Sequence, residues 1–421
     1  MTRPVSVPEG LLGSRSWGRA WSVGVLDPVA RRLSFTLAAR ILVGHLIVIL
    51  PDGSRRQFGD PGDGLVGEIH VHDEAAARRL LLGGDMGAGE AYMDGLWTSP
   101  DLPALLRLAA RNREALRLAD GWWQLPLRAQ KTLAHRRRRN TVRQAKRNIA
   151  AHYDLGNEFF ELFLDETLTY SSAVFATPDQ TLADAQRHKY ARMAERAGLA
   201  QGQHVLEIGT GWGGFALYAA GRFGCRVTTI TVSPAQHRLA TQRVRDAGLS
   251  HLVDVELRDY RDIAGRYDAI VSIEMLEAVG ADYYATFFEA CDRALVPGGR
   301  LSLQSIVFPD VAYEPQRRSA NWIQTHIFPG GLLPSLSVIE RSLHGTRLLI
   351  RAVDDIAPHY VRTLQAWRAS FLAQRESVRA LGFDERFVRT WDFYLAISEA
   401  GFATGLTQDL QIVFEKARGL T

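Results

Sequence analysis

The alternation of apolar and polar positions divides the chain into two regimes. From about Leu33 to Val71 it predicts strands: the apolar run Ile41 to Leu50, the turn signal Pro51-Asp52-Gly53 with a polar return, and the alternating Glu68-Ile69-His70-Val71-His72. Helical spacing follows over Glu74 to Leu82 and Leu102 to Leu118, on either side of the aromatic stretch Tyr92 to Trp97. Residues 1–118 are therefore expected to form a smaller N-terminal α+β domain. From His204 onward strand-like runs (Val205 to Ile208, Arg226 to Thr231, Val253 to Leu257, Tyr267 to Ser272, Leu301 to Phe308) alternate with helical ones, Gly214 to Phe223 and a helix opened by Ser233-Pro234 and ending near Ala247. That order predicts an open, mostly parallel α/β sheet with its ligand at the carboxyl ends of the strands. The catalytic domain is placed at 149–421. Beyond about Pro309 the alternation gives way to a long insertion with Trp322, Ile327, Phe328, Leu332 and Leu333, suited to lining an apolar tunnel or to packing as a lid.

Between the two regimes, residues 119–148 read as a basic helical linker. They open with Trp122 and Trp123 and close on the run Arg136 to Arg139, followed by Arg143, Lys146 and Arg147. Such a segment suits a solvated helix face, an anionic lipid surface or a nucleic acid, and composition does not choose among them.

Length, composition and charge then narrow the class. A chain of 421 residues exceeds the size of one hydrophobic core, and 46% hydrophobic with 23% charged residues describes an ordinary globular protein. Two cysteines, Cys225 and Cys291, supply no disulfide framework and fit a reducing compartment. Met1 to Gly10 lacks the apolar core of a secretory signal, and Ile41 to Leu50 is about half the ~20 residues of a spanning helix. The expectation is a cytoplasmic protein, and any work it does at a membrane is done from the surface.

The sharpest chemical signal is Val205-Leu206-Glu207-Ile208-Gly209-Thr210-Gly211-Trp212-Gly213-Gly214, a strand ending in an acid and then closely spaced glycines entering a helix. A dinucleotide site would want G-x-G-x-x-G and an acid about 20 residues later, but the second strand here ends in Thr229-Ile230-Thr231. Glu207 before the glycines suits S-adenosylmethionine (SAM), whose amino acid moiety carries an ammonium and no pyrophosphate. Gln236, after the second strand, is placed to bond the ribose, and Asp259 and Tyr260, after the third, to hold the adenine. The cofactor set is thus Glu207, Gly209, Gly211, Gly213, Thr231, Gln236, Asp259 and Tyr260; no metal enters this reading.

Over about residues 150 to 415 the chain resembles the cyclopropane-fatty-acyl-phospholipid synthases and their mycolic acid and 10-methylene fatty acid relatives. The resemblance rests on His152-Tyr153-Asp154-Leu155-Gly156-Asn157, Leu168-Thr169-Tyr170-Ser171-Ser172, Glu207 to Gly214, Glu274-Met275-Leu276-Glu277-Ala278-Val279-Gly280, Ile327-Phe328-Pro329-Gly330-Gly331 with Leu333-Pro334-Ser335, and Trp391-Asp392-Phe393-Tyr394. It implies a SAM-dependent methyltransferase with a Rossmann-like sheet, acting on the cis double bond of an unsaturated phospholipid acyl chain through a carbocation. Proton loss then gives a cyclopropane or, alternatively, a methylene branch. A SAM methyltransferase acting on a polar small molecule is the more remote reading.

The resemblance also implies that Tyr170 and Ser171 contact the amino acid portion of SAM, and that a bound bicarbonate acts as base. Its holders would be Glu277, the backbone of Ile306, and Tyr394, with Ser172 standing where many members have Cys and Gln304 where they have His. Site residues are thus expected at Glu277, Tyr394, Ser172, Gln304 and Ile306, with His152 a further candidate. The expected partners are the anionic phospholipid surface on the inner face of the membrane and a second copy in a homodimer, with no nucleic acid.

Overall fold

In the computed structural model, which describes residues 26–116, 155–318 and 320–419, the first apolar run folds as strand β1 (His45–Ile49). Gly53, with φ 80°, turns the chain into antiparallel β2 (Arg55–Gly59). Strand β3 (Val66–Val71) lies parallel to β1 on its other side, and the two-residue β4 (Trp97–Thr98) closes the sheet in the order β2-β1-β3-β4. These elements belong to one of two compact units, whose described residues are 26–116, 318, 320–327 and Trp367–Leu406.

Two helices of this unit depart from the spacing read above. The helix Ala75–Met93 continues well past Leu82 and bends at Gly84, whose φ of 56° takes it out of helical geometry. The expected helix from Leu102 breaks at Asn112 into Leu102–Arg111 and Arg113–Leu116. Inside the unit, the ring of Tyr92 packs 4.9 Å from Trp97 and 5.6 Å from Phe393. Its hydroxyl donates to buried Asp392 at 2.6 Å, which also accepts from Arg368 Nε at 2.7 Å.

The second unit, described over 155–317, Phe328–Ala366 and 407–419, carries the sheet of the functional site. Its strands are β5 (His204–Ile208), β6 (Arg226–Thr231), β7 (Val253–Leu257), β8 (Tyr267–Ile273), β9 (Leu295–Val307), β10 (Leu348–Asp355) and β11 (Gln408–Lys416). They align as β10-β11-β9-β8-β5-β6-β7. The five from β9 to β7 are parallel, as the alternation predicts, while β10 and β11 add an antiparallel edge. The stretch beyond Pro309, read as an insertion, therefore contributes two strands. Strand β11 was hidden because Asp409 and Gln411, both without solvent exposure, put polar letters at interior positions. Apolar residues such as Leu206, Ile208, Ile270, Phe287, Phe288, Leu303 and Ile412 fill the core beneath the site.

The segment 119–148, with its tryptophans and basic run, and His152 to Asp154 lie outside the described residues. No helix among the described residues is long and apolar enough to cross a membrane.

Candidate active site

The carboxyl ends of β5, β6 and β8 converge on a cleft. Strand β5 ends in Glu207-Ile208, and the chain turns through Gly209, at φ 103°, towards the helix Gly214–Phe223. Glycine is required at the two ends of this turn for different reasons. Gly209 adopts a backbone conformation that side chains resist, and a Cβ on Gly214 would stand 2.3 Å from Tyr190 Oη and 3.1 Å from the Thr167 carbonyl. Gly209, Thr210, Gly211 and Gly214 line the cleft; Gly213 does not, and serves as N-cap of the helix.

The other cofactor candidates, Tyr170, Ser171, Glu207, Thr231, Gln236, Asp259 and Tyr260, line the same cleft. Glu207 is buried and its Oε2 accepts from Thr229 Oγ1 at 2.5 Å. Burial pushes its carboxyl up to about 8, against the opposing pulls of Thr229 and the Lys189 charge. Gln236 Oε1 accepts from Thr231 Oγ1 at 2.8 Å, and Ser233 caps the helix Pro234–Asp246. Arg261 grips Asp259 through Nε at 2.8 Å and Nη2 at 2.7 Å. Tyr170 stacks edge-on against Phe160, ring centres 5.3 Å apart.

Beside the cleft lies a group of carboxyls, Glu274 and Glu277 half-buried and Asp409 buried. Glu274, which lines the cleft, accepts from the Ser172 amide at 2.8 Å, Gln304 Nε2 at 2.8 Å and Tyr360 Oη at 2.7 Å. Gln304 also reaches Asp409 Oδ2 at 3.2 Å and is itself oriented by Gln411 Nε2, 3.0 Å from its Oε1. Glu277 Oε1 accepts from Ser305 Oγ at 3.0 Å and from the Ile306 amide, while its Oε2 is buried with no hydrogen-bond partner. Burial and then the Glu274 charge push Glu277 up to about 8. Lys189, also without solvent exposure, donates to Ser171 Oγ at 2.7 Å.

The family model for mycolic acid cyclopropane synthetase matches residues 140–412. The chain belongs to this family. A tuberculostearic acid methyltransferase of Mycobacterium tuberculosis is 41% identical over 95% of this chain and 91% of its own length. The cyclopropane-fatty-acyl-phospholipid synthase of Escherichia coli is 34% identical over 83% of this chain and 88% of its own. Among solved structures, the cyclopropane synthase MmaA2 of M. tuberculosis is similar with a TM-score of 0.61, at 29% identity, over 64% of this chain and 98% of that one. The mycolic acid cyclopropane synthase complexed with SAH and CTAB has the same TM-score at 30% identity, over 64% of this chain and 98% of that one.

As a member of the synthetase family the protein is a SAM-dependent methyltransferase, and the cleft fits that cofactor. The glycine turn leaves room that a Cβ would fill, and Glu207, Gln236 and Asp259 present acceptors for an ammonium, ribose hydroxyls and an adenine amine.

Bicarbonate, which the resemblance implies, does not fit the donors that Ser172, Gln304 and Ile306 present. The Ser172 hydroxyl donates to its neighbour's carbonyl at 3.0 Å, its amide and the Gln304 amide nitrogen are taken up by Glu274, and the Ile306 amide by Glu277. An added anion would meet carboxylates there rather than free donors. Tyr394 lies in the other unit, buried, its ring 5.4 Å from Trp391.

Sequence reasoning passed over Glu274, Lys189, Asp409 and Tyr360. Glu274 stood in view, opening the same motif as Glu277. Lys189 had no signal, since Arg187-His188-Lys189 reads as a solvated helix face.

Proposed function

We propose that the protein methylates the cis double bond of a monounsaturated acyl chain in an intact phospholipid and closes the product to a cyclopropane. The observation that carries this reading is the unpartnered, buried Oε2 of Glu277 next to Ala278 and Val279, which line the cofactor cleft. A carboxylate out of water with a pKa near 8 is a competent base for a carbon acid. When bound, SAM supplies a methyl on a positively charged sulfur; the alkene π pair takes it up, the S–C pair stays on sulfur, and a cation remains on the neighbouring carbon. Glu277 Oε2 then accepts a proton from the new methyl, and the C–H pair closes the third ring bond.

Glu207 holds the ammonium of the cofactor, Gln236 its ribose and Asp259 with Tyr260 its adenine. The likeness to a phospholipid synthase of E. coli supports the substrate class. Approach to the inner membrane face through the basic run Arg136 to Arg139 belongs to the same proposal.

A second reading ends in a methylene branch, with the proton leaving a chain carbon instead of the new methyl. It is supported by the relative named as a tuberculostearic acid methyltransferase, at 41% identity.

Methyl-labelled SAM incubated with oleoyl-phospholipid vesicles tests both. Label is expected in an acyl chain longer by one carbon, and fragmentation of the methyl esters separates ring from branch. Demonstrated SAM binding with no label in lipid would sink the acyl-chain reading.

A further inference from the structure

Three donors from three separate segments point at Glu274: the Ser172 amide and Gln304 Nε2 at Oε1, and Tyr360 Oη at Oε2. The backbone holds it there under strain. Glu274 sits just past β8 with φ 49°, a region costly for a residue with a Cβ, and its amide donates to the Gln304 carbonyl at 2.8 Å. Asp409, on β11, accepts at 3.2 Å from the same Gln304 Nε2 that serves Glu274, and the Lys189 charge, from the helix Leu182–Ala197, acts on both carboxyls.

We propose that Glu274 is a built-in anion, occupying with its own carboxylate the Gln304 donor that the family resemblance assigns to bicarbonate, together with the Ser172 amide, and standing as fixed negative charge against the sulfonium of SAM and the cation on the acyl chain. The second half of this inference rests on the proposed function; the first does not.

The two glutamates have opposite surroundings. Glu274 has its lone pairs committed, which spends its basicity and fixes its position, while Glu277 keeps one oxygen open. A saturated carboxylate is a poor proton acceptor and a well-oriented charge; the open one is the acceptor. Burial, then the charges of Glu274 and Glu277, hold Asp409 well above the usual carboxyl range, while burial raises Glu274 against the opposing pulls of the Ser172 amide, the Lys189 charge, Tyr360 and Gln304. Ser172, Gln304, Tyr360 and Asp409 are positioning residues for Glu274.

The full-length protein tests this through SAM and its neutral thioether product S-adenosylhomocysteine, titrated in bicarbonate-free buffer. A fixed anion distinguishes the two ligands by charge, whereas a purely structural Glu274 does not. Glu274→Gln is expected to lower the ratio of the product's Kd to that of SAM about tenfold relative to the wild type, one pKa-unit equivalent of lost charge interaction. Glu274→Gly, which suits the positive φ, is expected to do the same and guards against misfolding of the first variant. Wild-type label transfer into oleoyl-phospholipid is expected to be equal with and without added bicarbonate. An unchanged affinity ratio in both variants, or a wild-type rate that depends on bicarbonate, would overturn the inference. A shifted ratio with no label in lipid from the wild type would sink the proposed substrate and leave the anion standing.

Discussion

Lys189 Nζ donates to Ser171 Oγ at 2.7 Å from a side chain with no solvent exposure. Burial pulls its ammonium down to about 8, against the charges of Glu274, Asp165, Asp409 and Glu207, which work to keep it protonated. The lysine thus serves as counter-charge to the carboxyls around the cofactor cleft.

Replacing it tests that balance. Lys189→Met keeps the bulk but leaves buried carboxylates uncompensated, a change that costs about 3–5 kcal/mol when a buried charge loses its partner. Denaturant unfolding at neutral pH should show a loss of that size. The loss should shrink as pH falls below about 8, where Glu207 takes up its proton and needs the cation less.

Glu277→Gln should remove proton abstraction while keeping the Ser305 bond. The expectation is a drop of about 10²–10⁴ in kcat/KM, the usual worth of a positioned base, with SAM affinity changed less than about threefold. In the wild type kcat/KM should rise with pH through about 8 as Glu277 ionises. Steady-state profiles for the two proteins decide it: a rising limb that survives in Glu277→Gln would assign the base elsewhere.

The same shifts set a sign for stability. Glu207 and Glu277 have folded pKa values near 8, raised from 4.5, so between these limits the folded state binds more protons than the unfolded chain. Their contribution is fully present below pH 4.5 and is lost as pH rises through 8. Urea unfolding of the wild type should therefore show this component falling from pH 5.5 to 8. Glu207→Gln should flatten its share of the slope and weaken SAM binding about tenfold or more by removing the ammonium's partner. A slope unchanged by Glu207→Gln would place that carboxyl's titration outside this window.

How far the sequence could be read depended on whether a residue's neighbours were local. The glycine turn after Glu207 is a contiguous device, strand to turn to helix, and its ten letters sufficed to place it. The parallel strands were legible for the same reason, each being an apolar run with its own helix. Glu274 was not, because its role lies in partners 30 to 102 residues away, at Gln304, Tyr360 and Ser172. Ser172 and Gln304 were picked out as positions, yet their hydrogen-bond partners could not be seen without the fold. Gln411 and Asp409 had the opposite problem: their polarity hid the strand that carries them.

Asn112 offers a test where no catalysis is involved. At 2% exposure it separates the helices Leu102–Arg111 and Arg113–Leu116. Its Oδ1 accepts from the amides of Leu42 at 2.8 Å and Val43 at 3.1 Å, while its Nδ2 donates to the carbonyls of Val43 at 2.7 Å and Leu108 at 2.9 Å. One side chain thereby completes the backbone bonding of a loop some 70 residues away and of a helix end. Asn112→Ala takes the side-chain partner from three part-buried groups, the Leu42 and Val43 amides and the Val43 carbonyl, while the Leu108 carbonyl keeps the backbone amide of residue 112; about 2–4 kcal/mol should be lost, given roughly 1–3 kcal/mol for a group that water cannot reach and less for one it partly reaches. Asn112→Asp is the sharper variant. It keeps the two acceptor bonds but sets a carboxylate against two carbonyl oxygens, so it should be less stable at pH 7 than at pH 4, where a proton restores one donor. Unfolding curves at the two pH values, referred to the wild type at each, measure the difference. If Asn112→Asp matched the wild type at pH 7, the Nδ2 bonds would contribute nothing and the loop would be held by its apolar neighbours alone.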